Sequence, residues 1–338
     1  MVQQTALLPQ MLQPQLHFVC GKGGVGKSTV SCSLAHAFAQ QGLTTLLVQV
    51  AAKDSHSAML QCPPIDSTIR HILPNLHAIN LCPQLALQEY VALKLHSKIV
   101  SRLLLASPFM RAITRFAPAL AELNMLGKIW YHACETQRNT HPRFDRIVVD
   151  CPATGHGTRF LRVARVTHLS MQHGPVAKEA KQVADTLANP QRALLHIVTQ
   201  PAELPATESV QLQQRVQQEQ SIAVGAVFIN ALMPQHFTKP MQQHLKQLQQ
   251  WLQQQTKPST TNPLPPQTQQ KLHQLQTLQH IAHEQMLHEQ QQQHWVQFIK
   301  RCMHRPLLCL PLVPQRPLQQ EAICQLATLI GQATYTGG

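Results

Sequence analysis

Short, continuous apolar runs alternate along the chain with longer stretches of mixed polarity. Six runs predict buried strands: "LHFVC" (16–20), "LTTLLVQV" (43–50), "FDRIVVD" (144–150), "ALLHIVT" (193–199), "IAVGAVFIN" (222–230) and "PLLCLPLV" (306–313). Most are apolar throughout rather than at every second position. That pattern suits parallel strands covered on both faces. Helical periodicity fills the intervals, for instance over 28–41 and 176–188. The strand–helix–strand succession predicts an α/β fold, a doubly wound and mostly parallel sheet, in one domain spanning 1–338.

Two segments interrupt this alternation. Residues 85–135 have helical apolar spacing and no strand signal, with breaks near Pro108 and Pro118. They carry a row of large apolar residues, Leu103, Leu104, Leu105, Phe109, Met110, Ile113 and Phe116, most of them expected in the core. Residues 235–305 are rich in Gln and His and are divided by "TKPSTTNPLPPQT" (256–268), expected as an exposed, mobile break. Beyond it, Leu272, Leu275, Leu278 and Ile281 lead to Trp295, Phe298 and Ile299 at helix-like intervals. This predicts a helix over 269–301 packed on the domain. Together the two inserts are expected to form a helical subdomain beside the core.

Composition narrows the picture. The 338 residues are 43% hydrophobic, enough for a sizeable core. Lys and Arg outnumber Asp and Glu by 28 to 15, a formal charge of +13. Such a balance favours nucleic acid or anionic membrane when it is clustered. Here the basic residues are scattered, as with Arg159, Arg162 and Arg165, so composition alone explains the charge and nucleic acid is not the expected partner. Peripheral membrane contact stays open. No apolar run approaches the roughly 20 residues that span a bilayer. The nine cysteines form no CxxC pair and "MVQQTALLPQMLQPQ" lacks a basic start, so a reduced, cytoplasmic protein is expected.

The decisive stretch is "HFVCGKGGVGKST" (17–29), placed between a predicted strand and a predicted helix. Gly21 to Ser28 match G-x-x-x-x-G-K-[ST], the phosphate loop of P-loop NTPases, in the context that this motif requires. The loop Gly21, Gly23, Gly24, Val25 and Gly26 is expected to turn backbone N–H groups toward phosphate oxygens, at a helix start that favours anions. Lys27 is expected to reach the β- and γ-phosphates, Ser28 to bind Mg²⁺ and Thr29 to donate to the α-phosphate. ATP and Mg²⁺ are therefore the expected ligands.

Lys22 is a second lysine that this function does not require. In "GKGGVGKST" the loop resembles the deviant form found in the ParA/MinD and ArsA class of ATPases. The stretches "RIVVDCPATGHGTRFLRV" (146–163), "PALAELNMLGKIW" (118–130), "VFINALMP" (227–234) and "LCLPLVPQRP" (308–317) resemble the ArsA family in particular, its bacterial single-domain members most of all. The family includes the arsenite-pump ATPase and the ATPase that targets tail-anchored membrane proteins. The resemblance covers most of the chain and leaves 235–305 outside.

The resemblance implies several roles. Lys22 would cross a dimer interface to the nucleotide of a second copy and, with one phosphate loop per chain, any sandwich would be a homodimer. Asp150 would hold the Mg²⁺ shell. Gly155 and Gly157 would let the second switch move, with His156 close to the γ-phosphate. Asn230 would contact adenine and Pro311 would lie near the base. A protein client or a membrane transport partner would be moved, targeted or energised.

The sequence departs from the family at the first switch. In "VQVAAKDSHSAML" (48–60) the family's water-orienting Asp is replaced by Ala51. Losing such a group commonly slows a reaction by roughly 10²–10⁴-fold. Two outcomes follow: hydrolysis is weak or lost and the ATP-bound state itself is the signal, or Asp54, three residues on, takes over. A ParA-like DNA-associated ATPase is a third reading. The family's metal-bridging and arsenite-binding cysteines have no counterpart here; Cys302 and Cys309 are spaced wrongly for CxxC. His280 and His283 share a helix face but, among Gln neighbours, are expected to be solvated.

Overall fold

The structure is a computed structural model that describes residues 4–6, 13–83, 85–86, 118–134, 144–171, 173–219, 221–255, 266–314 and 319–336. Its centre is an eight-stranded sheet. The strands are β2 (Leu16–Gly21), β3 (Thr45–Val50), β4 (Arg70–Leu73), β5 (Leu76–Leu81), β6 (Arg146–Asp150), β7 (Ala193–Thr199), β8 (Ala223–Leu232) and β9 (Leu307–Pro311), in the order β4-β5-β3-β6-β2-β7-β8-β9. Every pairing is parallel except the edge pair β4–β5. A separate short ribbon joins β1 (Gln4–Ala6) to β10 (Thr334–Thr336).

All six residues of β2 and of β3 are buried, as a covered parallel sheet requires. Successive side chains serve opposite cores. Leu16, Phe18, Cys20, Leu46 and Val48 enter one, while Val19, Leu47 and Val148 enter the other. The second core is closed by α1 (Lys27–Gln40) and α9 (Gln320–Gln332), with α2 (His56–Leu60) beside them. The first is closed by α3 (Pro118–Cys134), α4 (Thr154–Ser170), α5 (Pro175–Ala188), α6 (Glu203–Glu219) and the C-terminal end of α8 (Pro266–Met303).

The predicted strands, the helices at 28–41 and 176–188 and the long helix at 269–301 are all present, the last extended at both ends. In the inserts, α3 packs on α4 and α5. Helix α8 packs on α6 and on α7 (Lys239–Gln255). Buried Glu289 of α8 accepts the amides of His236 (3.0 Å) and Phe237 (3.1 Å), which ties down the approach to α7. The apolar row at 103–116 and most of the Pro-rich break, 256–265, lie outside the described residues.

Candidate functional site

β2 is central, and the loop that leaves its C-terminal end opens where the chain direction across the sheet changes. Parallel α/β sheets bind ligands at this point. The loop from Gly21 to Gly26 runs directly into α1. Two glycines are needed there for different reasons. A Cβ on Gly21 would collide with the carbonyl oxygen of Val198 on β7. Gly26 has φ 90°, which side chains rarely adopt, and a Cβ there would collide with the Asn230 amide. Gly23 lies against Ala153, at the start of the second switch.

Asn230, on β8, is 8% exposed and donates its Nδ2 to the carbonyl of Val25 at 2.9 Å. It thus braces the loop from outside. Pro311 ends β9, in register with Leu232 of β8. Lys27 Nζ donates to the carbonyl of Lys22 at 3.1 Å, so the motif lysine arches over its own loop. Lys22 pairs instead with Glu208 of α6, Nζ to Oε1 2.9 Å.

Ser28, the second residue of α1, donates Oγ to Asp150 Oδ2 at 2.6 Å, joining residues 122 apart in sequence. Asp150 ends β6 and is 5% exposed. The same Oδ2 receives His56 Nε2 at 3.0 Å, and Oδ1 is buried without a hydrogen-bond partner among the described residues. His56 is fully buried, and sequence reasoning missed it. Beyond its being a histidine in the first-switch segment, nothing in the sequence marks it.

These residues fit a magnesium ion. Mg²⁺ keeps several waters and uses few protein ligands beside phosphate. The Ser28 oxygen has lone pairs left while it donates its proton, and Asp150 Oδ1 is an unused acceptor next to it. A larger protein ligand set is not present: among the described residues no group of three or more His, Cys, Asp or Glu side chains could hold a metal ion.

The first switch holds both residues weighed from the sequence, Ala51 and Asp54. Ala51 follows β3 with φ 51°, its N–H bonded to Leu81 O at 2.9 Å. The oxygens of Asp54 accept the amides of Ser57 (3.1 Å) and Ile65 (2.8 Å). Desolvation raises the Asp54 carboxyl, but bonds from the Ser57 hydroxyl and these amides outweigh it and hold its pKa below the ordinary value. The second switch is also more regular than expected, because Gly155 and Gly157 fall in the first turn of α4 rather than in a loop. For His156 the backbone alone is described. Burial, first of all, pushes the Cys151 thiol well above its usual range, which disfavours the thiolate form beside Asp150.

The phosphate loop, the strand-end carboxylate and the sheet order are those of a P-loop ATPase. The sequence model of the anion-transporting ATPase (ArsA) family matches residues 15–174, which hold the loop, the first switch and Asp150. ATPase BagA of Mycobacterium tuberculosis is 30% identical over 227 residues, 66% of either chain. The chain belongs to the ArsA family of P-loop ATPases. An arsenical pump-driving ATPase of Acidiphilium multivorum is 29% identical over 56% of this chain and 35% of its own length. ATPase get3 of Neurospora crassa is 28% identical over 52% of either chain. This ArsA-family chain thus spans 66% of the length of its mycobacterial relative and less of the others. Among the described residues no helix is long and apolar enough to cross a membrane.

Proposed function

We propose that this chain binds ATP with Mg²⁺, hydrolyses it slowly and acts as a switch that forms a nucleotide-sandwich homodimer. The observation that carries the reading is the convergence of the Gly21–Ser28 loop with Asp150 through the 2.6 Å Ser28 bond. The loop amides and Lys27 bind and orient the phosphates. Lys22, once released from Glu208, supplies a cation to the nucleotide of the second copy. When bound, Mg²⁺ neutralises phosphate charge. Asp150 and Ser28 are the residues that would hold it.

Slow rather than efficient hydrolysis follows from Ala51, which can neither accept a proton nor hold a water by charge. This favours a second reading, in which hydrolysis is lost and the ATP-bound dimer is itself the signal read by a protein client or a membrane transport partner. A client role is supported by relatives named as pump-driving ATPases. A cytoplasmic location goes with it.

The experiment is ATP binding and steady-state turnover by the purified chain with Mg²⁺, beside Lys27→Ala and Lys22→Ala. Binding lost in Lys27→Ala, with low turnover lost in both, supports the switch. Turnover equal to that of Lys27→Ala, with binding retained, supports the second reading. Absence of nucleotide binding by the wild-type chain overturns both.

A further inference from the structure

Ala51 removes a carboxylate from the first switch, yet the same segment delivers another polar group to the site. Its path is tightly fixed. Gln49 Nε2 donates to Lys53 O (3.0 Å) and Ser55 Oγ (3.1 Å), and Asn80 Nδ2 donates to Ala52 O (3.1 Å). Asp54 holds the start of α2 through Ser57 and the following loop through Ile65. These bonds hold the turn between β3 and α2 and bring His56, the first residue of α2, to the end of β6.

There the imidazole is buried and its Nε2 lies 3.0 Å from Asp150 Oδ2. A carboxylate accepts only, so Nε2 carries the proton and donates. With Ser28 bonded as well, Oδ2 holds two donors while Oδ1 holds none. The asymmetry matters. Rotation about the last bond of an Asp side chain is soft, and one donor would leave the carboxylate free to swing. Two donors arriving from α1 and α2 fix its plane and single out Oδ1 as the open acceptor. His56 Nδ1 is also buried and without a hydrogen-bond partner among the described residues, an unmet polar atom that accompanies the Nε2 bond to Asp150.

We propose that His56 is a positioning residue for Mg²⁺–nucleotide binding, acting through Asp150: it holds Oδ2, keeps Oδ1 available to the hydrated ion and ties the first switch to the second. The inference rests on the ATPase reading and deepens it. It gives the first switch a role that needs no carboxylate at residue 51.

The test is equilibrium binding of a fluorescent ADP analogue to the full chain, in excess Mg²⁺ and in EDTA, with the fold of each variant followed by circular dichroism. Groups that orient a metal's ligands typically contribute about 10–100-fold to metal affinity. His56→Leu and His56→Asn are expected to lose about that much of the Mg²⁺-dependent gain while keeping wild-type affinity in EDTA. His56→Gln is expected to keep the gain, because its amide nitrogen reaches the Nε2 position, whereas that of Asn stops near Nδ1. In an Asp150→Asn background His56→Leu should cost nothing further. Should the Leu variant fail to fold, the Asn and Gln pair decides. A gain that survives in His56→Asn, or that His56→Gln loses equally, overturns the inference and leaves the ATPase reading intact. Absence of nucleotide binding by the wild-type chain in either buffer overturns the ATPase reading first.

Discussion

Lys22 and Glu208 form an ion pair within one chain, Nζ to Oε1 2.9 Å, across 186 residues of sequence. The lysine proposed to serve a second copy is therefore held by its own α6. Both side chains are about one-third exposed (30% and 32%), so water screens the pair and it contributes at most about 1 kcal/mol. It acts as a weak latch, easily opened when a nucleotide competes for the cation. Glu208→Gln is expected to raise the ATP-dependent dimer fraction by up to about fivefold, and to shift the melting temperature little. Sedimentation velocity with a slowly hydrolysed ATP analogue reads the first quantity. An unchanged or smaller dimer fraction would count against the latch.

Gly26 and Asn230 give a second prediction. Gly26→Ala meets two separate obstacles: a left-handed backbone, costing about 1–2 kcal/mol for a residue with a Cβ, and the Asn230 amide in its way. Asn230→Ala removes the second obstacle and also the 2.9 Å brace on Val25. The double variant should therefore be less destabilised than the sum of the two single variants, by about 1 kcal/mol or more. Urea unfolding of the four chains measures this coupling. Strict additivity would mean that the loop relaxes away from Asn230.

What could be read in the sequence follows the range of the interactions. β2, β3 and β7 were legible because they are buried on both faces and so are apolar almost without interruption. The edge strands β4 (RHIL) and β5 (LHAINL) were not, because histidine and asparagine break the run and β4 is partly exposed. The phosphate loop was legible because its chemistry is local. The role of Lys22 inside its own chain was not, since Glu208 carries no mark of its partner. His56 was missed for the same reason: its contact with Asp150 spans 94 residues, and its neighbours Asp54 and Ala51 held the only recognisable pattern.

Ala51 and Asp54 separate two accounts of turnover. Asp54 is committed to the Ser57 and Ile65 amides, as a cap at the start of a helix would be. Asp54→Ala should then cost about 1 kcal/mol of stability, the usual value of such a cap, and leave turnover per folded molecule nearly unchanged. Ala51→Asp is the complementary change. Its φ of 51° lies in the region that Asp tolerates better than most residues. An Asp there is expected to raise turnover at least about tenfold, a conservative part of what a positioned base supplies. Steady-state kinetics on both variants decide. A drop of about 10²-fold or more in Asp54→Ala would make Asp54 the working carboxylate instead.

The last prediction concerns pH and two histidines inside the sheet. The Ala226 N–H donates to His196 Nδ1 (3.1 Å), so the proton of a neutral His196 is on Nε2. That nitrogen lies 3.0 Å from His17 Nδ1, and His17 Nε2 lies 2.9 Å from the carbonyl of Pro14. One chain of donors thus runs from β8 through β7 and β2, and every member is neutral. Burial lowers the His196 pKa from 6.5 to about 3. Burial, then repulsion from His196 and Arg146, lowers that of His17 well below 6.5. The unfolded chain binds protons at these positions below about pH 6.5 and the folded chain does not, so stability is full above that pH and falls as the pH drops through the window toward 3. Each histidine removes up to about 1.4 kcal/mol per pH unit. Between pH 7.5 and 5 His196 alone should remove about 2 kcal/mol, and His17 should add to this loss in the same direction, before the depressed pKa of Asp54 begins to contribute below the ordinary carboxylate range. Urea unfolding at half-unit intervals measures this, and a stability that stays flat from pH 7.5 to 5 would mean that the two rings are protonated or exposed in the folded chain.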